Sequence, residues 1–158
     1  MKVRAHTLWR VPVFCIISSW VSYYLTIYLG GFFFVVQTVG ADGVIEGSAD
    51  PLRSALFSGS LFIIILLVGG LWFFRSMTKA EIAVSATILS AIYITGTLAE
   101  LYIPGFPLSL SMELAKIYNW TSTLSSLFLK LTNHLSFSVL LPDLAPFLFV
   151  PFGRKSVQ

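Results

Sequence analysis

Uncharged apolar runs and short polar clusters alternate along this chain, and the length of the runs is the dominant signal. The clearest is Ser54 to Phe74, SALFSGSLFIIILLVGGLWFF, twenty-one uncharged residues between Arg53 and Arg75. An α-helix rising about 1.5 Å per residue needs about 20 such residues to cross the hydrocarbon core of a bilayer. A second run has no charge between Arg10 and Asp42 and predicts a first span over about 12–38. That run is about twice a signal-peptide core of ~7–15 residues, so an uncleaved anchor is expected although Val39-Gly40-Ala41 loosely resembles a cleavage site. Asp50 followed by Pro51 is a helix start, with a carboxylate for the free amides and proline in the first turn. The second span is therefore placed at about 52–74. Thr78-Lys79-Ala80-Glu81 has capping-box spacing and opens a third span over about 80–103, ended by Pro104-Gly105. The brevity of the RSMTKAE turn predicts an antiparallel hairpin of spans two and three.

Beyond Pro104 the pattern changes. Leu110, Leu114, Ile117, Leu124, Phe128 and Leu131 recur at helical spacing, broken only at Thr121, while the intervening residues are too polar for a comfortable crossing. One amphipathic segment over about 108–130 is expected, lying in the membrane interface or packed over the bundle mouth. A last apolar run, about 131–152, predicts a fourth span. Pro142 and Pro146 each remove a helical hydrogen bond, so this span is kinked or broken around 138–146.

Together these runs describe an all-α integral membrane protein: a four-transmembrane-helix bundle with an extracytoplasmic amphipathic helix between the third and fourth spans. Composition supports that class. Of 158 residues, 56% are hydrophobic and 11% charged, less than half the charge of a typical soluble domain. The length fits a single membrane domain. The net charge of +3 comes from small clusters beside the apolar runs rather than a contiguous basic face, so no nucleic-acid partner is expected. Basic residues also set the orientation. Lys2, Arg4, Arg10, Arg75, Lys79, Arg154 and Lys155 fall on one side, and Arg53, Lys116 and Lys130 on the other. Seven against three places both termini in the cytoplasm of a cell bounded by this (plasma) membrane.

Helix packing in lipid favours small residues that let backbones approach. Ala83, Thr87, Ala91, Thr95 and Ala99 form such a stripe at four-residue spacing, with Gly69 and Gly70 as counterparts in the second span. Asp50, Thr78 and Glu81 are read as helix caps. Candidate chemistry is sparse. Cys15 is the one cysteine, so no internal disulfide is possible, and an apolar setting makes it a core residue. Two histidines and one cysteine at unrelated positions give no metal spacing, and no phosphate loop or nucleophile elbow occurs, so no cofactor is expected. Asp143 stands out because an ionisable group at membrane depth usually faces the bundle interior or a water-filled path. It is either a proton or cation site at a broken helix, or a cap in a wetted break before Leu144. Glu100 and His134 fall at similar depth and form a candidate interfacial pair. The expected function is a non-enzymatic subunit or accessory of a membrane complex, associating with other membrane subunits or with itself. The alternative is a small oligomeric transporter or channel using Asp143.

Overall fold

The computed structural model describes residues 7–39, 45–132, 138 and 140–155. It is mostly helical, and three helices are long and apolar enough to cross a membrane: Arg10–Phe33, Pro51–Phe73 and Lys79–Tyr102. Large apolar side chains along the first two, among them Ile17, Val21, Ile63, Ile64 and Leu67, are exposed. In water such a surface would be an aggregation liability, whereas against lipid it needs no cover. These helices mark a membrane protein.

Helix α1 (Arg10–Phe33) holds 24 residues, about 36 Å. It stops five residues before the end expected from apolarity. The cause is local: Phe34 folds back so that its ring lies where a Cβ on Gly30 would be, 2.3 Å away, and only glycine tolerates that approach. The next residues, Val35-Val36-Gln37-Thr38-Val39, are rich in β-branched side chains. They form strand β1 (Val35–Val39), which pairs antiparallel with β2 (Ile45–Ala49) in the register Val35↔Ala49 and Val39↔Ile45. This hairpin returns the chain to α2. Phe33 and Phe34 both pack on Phe57, at ring distances of 5.4 and 5.9 Å, and fasten the end of α1 to α2.

Helix α2 (Pro51–Val68) begins where Asp50 accepts from the amides of Leu52 at 2.8 Å and Arg53 at 3.2 Å. It continues into one π-helical turn, Gly69–Phe73, closed by the Phe74 amide on the Gly69 carbonyl at 2.9 Å. Gly69 and Gly70 are buried here. A Cβ on Gly69 would lie 2.6 Å from the ring of Phe14, and one on Gly70 2.5 Å from the ring of Phe152. The glycine pair is thus where α1 and the end of the chain press against α2.

Helix α3 (Lys79–Tyr102) is capped reciprocally. The Thr78 amide donates to Glu81 Oε2 at 2.9 Å, and the Glu81 amide to Thr78 Oγ1 at 3.2 Å. Thr78→Ala is expected to lower stability by about 1 kcal/mol, read by denaturation in mild detergent; an unchanged midpoint would show that the box contributes nothing. The face of α3 turned into the protein is Ile82, Ser85, Ala86, Leu89, Tyr93 and Thr97. The stripe singled out in the sequence lies beside it: Thr87, Ala91 and Thr95 are exposed, and Ala83 and Ala99 half-buried. Thr87 and Thr95 donate to their own helix, at the carbonyls of Ala83 and Ala91. The buried face won because Ser85 and Tyr93 have polar partners elsewhere in the chain, Ser85 donating to the Leu8 carbonyl and Tyr93 to Ile117.

Gly105, at φ 73°, turns the chain after α3. Two helices follow where one was expected: α4 (Leu108–Tyr118) and α5 (Ser122–Thr132), joined by a 3₁₀ turn at Asn119–Thr121. The final element is a 3₁₀ segment, Leu141–Phe152, with Pro142, Pro146 and Pro151. Three missing amides preclude an α-helical ladder, and the tighter winding extends the twelve residues to about 24 Å. The segment runs antiparallel to α3. Near its start Asp143 meets Thr97, and at its end the Arg154 amide donates to Met77 O at 2.9 Å and the Lys79 amide to Arg154 O at 3.1 Å. Phe14, Phe74 and Phe149 fill the space between α1, α2 and this segment, with ring separations of 4.9–5.9 Å.

Candidate functional site

The 3₁₀ turn Asn119–Thr121 sits inside the helix bundle, not on its surface. Trp120 is 1% exposed and stacks on Phe62 of α2 and Phe149 of the final segment, each at 5.7 Å. Phe62 is eleven residues from either end of the Pro51–Phe73 helix, so Trp120 reaches half its depth. Helix α4 therefore folds back along α3 after the Gly105 turn. Ser111 donates to Glu100, and Leu114 and Tyr118 lie over Gly96. Lys116 of α4 pairs with Glu113 and sits 5.9 Å over the Tyr23 ring of α1.

Non-helical backbone at this depth is stable only when protein satisfies it. The first helix does so with serines that looked unremarkable in sequence. The Trp120 amide donates to Ser19 Oγ at 3.1 Å, and Asn119 Nδ2 to Ser22 Oγ at 3.1 Å. The Trp120 indole donates to the Tyr93 hydroxyl at 3.3 Å, and that hydroxyl donates to Ile117 O at 3.1 Å. In the sequence Asn119-Trp120-Thr121 reads as the break at Thr121 and as a weak glycosylation sequon, neither of which points to the bundle interior; its polar partners sit on helices remote in the chain.

Beside this turn lies a cavity of about 250 Å³ between α3, α4, α5 and the final segment. Thr97, Glu100, Tyr118, Thr121, Ser125 and Asp143 contribute side chains to its lining. Asp143 is 3% exposed. Its carboxyl group lies against Thr97, and Oδ2 is buried with no hydrogen-bond partner among the described residues. The Tyr118 hydroxyl is likewise buried with no partner among the described residues. Two such atoms beside a cavity with room for several waters make this the candidate site. Among the described lining residues the side-chain donor atoms are oxygens apart from the Asn119 amide, a set that suits a proton or a hard cation.

Asp143 was expected near the middle of a span running 131–152. The 3₁₀ stretch Leu141–Phe152 carries Asp143 in its first turn, level with Thr97. Thr97 follows Lys79 by eighteen residues, about 27 Å, and precedes the end of α3 by about 8 Å. The carboxyl is buried at this position. Glu100 lies in the same cavity and accepts from Ser111; its candidate partner His134 lies outside the described residues. Among the described residues no three His, Cys, Asp or Glu side chains converge as a metal site. Thr97 and Tyr118 were missed in the sequence, where an isolated threonine and tyrosine carry no signal of a cavity. Compared with known proteins, the chain matches no family model, no curated sequence and no solved structure.

Proposed function

We propose that this chain is a small multi-pass membrane protein that binds a proton or a hard cation at Asp143 and passes it along the bundle. The observation that carries this reading is the buried Oδ2 of Asp143, without a partner among the described residues, beside a cavity that Glu100 and the Tyr118 hydroxyl also line. Intramembrane carboxyls are costly to bury and are kept where ions or protons move. In this reading the chain crosses the membrane four times. Helices α1, Pro51–Phe73 and α3 supply three crossings and the antiparallel Leu141–Phe152 segment the fourth, with α4 and α5 forming a re-entrant pair on the extracytoplasmic side. Both termini then lie in the cytoplasm. The functional test is cation or proton flux in proteoliposomes, which requires Asp143. The topology has its own test: in a Cys15→Ala background, Ser48→Cys is expected to react with an impermeant maleimide on intact cells, and Lys155→Cys only after permeabilisation. Labelling in the reverse order would overturn the orientation.

A second reading, membership of a larger membrane assembly, is favoured by the exposed Thr87, Ala91 and Thr95 on α3. Small residues left on a helix surface in lipid let another helix approach closely. Copurification of a constant partner, or a stable oligomer disrupted by Ala91→Leu, supports it; a chain that always purifies as a monomer contradicts it.

A further inference from the structure

We propose a second binding site, for an anionic phospholipid, in the groove between the start of α1 and the π-helical turn after α2. The groove encloses about 680 Å³ and is walled by Val13, Phe14, Ile17, Trp72 and Phe73. Its volume falls in the ~300–1,000 Å³ range of ordinary ligand sites. Apolar walls alone would take any acyl chain. What selects the headgroup is the end of the groove, where the exposed Arg10 guanidinium donates to Ser76 Oγ at 2.9 Å. That contact orients the guanidinium at the groove mouth and leaves further N–H donors in a fork that matches a phosphate. The same end of the protein displays Arg75, Lys79, Arg154 and Lys155, all exposed. Its described carboxylate, Glu81, is buried in the capping box.

The site follows from how the sequence folds. The glycine pair at Gly69–Gly70 lets Phe14 and Phe152 close on the α2 backbone, and the π turn re-aims the residues that follow. Trp72 is left 83% exposed along one wall of the groove. A π turn inside an α-helix is uncommon and is frequently found where a helix forms a site. The headgroup would rest at the level of Arg10, and one chain would lie along Val13, Ile17 and Trp72. This inference is independent of the cavity at Asp143, which lies toward the opposite end of α3.

Native mass spectrometry of the full chain in mild detergent tests it, with phosphatidylglycerol and phosphatidylcholine of identical acyl chains as probes. One phosphatidylglycerol per chain is expected to be retained about fivefold more strongly, the discrimination of roughly one basic side chain at a membrane surface. Arg10→Gln is expected to erase that preference, and Arg75→Gln, outside the groove lining, to leave it. Ile17→Trp fills the groove and is expected to remove both adducts. Brominated phosphatidylglycerol is expected to quench a tryptophan signal that is missing in Trp72→Phe, a readout that needs no loss of lipid. Equal retention of the two lipids would overturn the proposal. So would an equal effect of Arg75→Gln, which would mean diffuse attraction, or full displacement by millimolar inorganic phosphate, which would mean an anion site without a chain. A dimer that Ile17→Trp dissociates would assign the groove to a second copy instead.

Discussion

Asp143→Asn is expected to abolish ion or proton coupling while leaving the protein at least as stable as before. The two effects have one origin. Among the described residues a carboxyl oxygen of Asp143 is buried with no partner, and a buried unpaired polar atom costs about 1–3 kcal/mol. The amide removes the charge at nearly constant volume, so the thermal midpoint in detergent should stay or rise. A hydrogen bond to a charged group contributes about 1.5–3 kcal/mol, so loss of the anionic ligand is expected to weaken cation binding about 10- to 100-fold. Stability retained at the expense of activity is the signature of a functional site. Should Asp143→Asn instead melt several degrees lower with flux unchanged, the carboxylate would be a structural cap. Glu100 is a useful contrast. It already accepts from Ser111, so Glu100→Gln is expected to disturb flux less than Asp143→Asn.

Trp120→Ala is expected to be the most destabilising single substitution in the bundle, by about 3–5 kcal/mol. The indole is covered completely and touches α2 and the final segment, and its Nε1 reaches Tyr93 on α3. Truncation leaves a void at half the depth of α2 and strips the Tyr93 hydroxyl of its donor. Because the backbone of Trp120 is held by Ser19, the consequences extend to α1. Trp120→Phe, which keeps the stacking but not the N–H, is expected to cost about 1–2 kcal/mol. Unfolding in denaturing detergent, followed by circular dichroism, distinguishes these values. A cost below about 1 kcal/mol for Trp120→Ala would mean that the 3₁₀ turn is not seated in the core.

These two residues show how far the sequence could be read. The three long helices were legible because a bilayer imposes a length, and charge at Arg10, Arg53 and Arg75 punctuates the apolar runs. Asp143 was legible for the same reason, as an acid in an apolar run flanked by prolines. Trp120 was not. The stretch around it is too polar to span by composition, and an interfacial position was the natural inference. Its polar groups are satisfied by Ser19, Ser22 and Tyr93, partners that are 27 to 101 residues away in sequence. The β-hairpin after α1 was hidden differently. Val35 to Val39 continue the apolar run without a charge, and apolarity conceals the change from helix to strand that the β-branched residues impose. On α3 the sequence pointed to the small-residue stripe from Ala83 to Ala99, whereas the face turned inward carries Ile82, Ser85, Leu89 and Tyr93. Choosing between them needed the contacts of Ser85 and Tyr93.

The most direct measurement is carbodiimide modification of the reconstituted protein, with the reacted carboxyl identified by peptide mass spectrometry. A buried carboxyl in a cavity that takes up protons or cations should react at Asp143, and a bound cation should protect it in a concentration-dependent way. Asp143 unreactive at every pH, or reactive with no effect of any cation and with flux intact in Asp143→Asn, would contradict the assignment of this cavity as the working site of the protein.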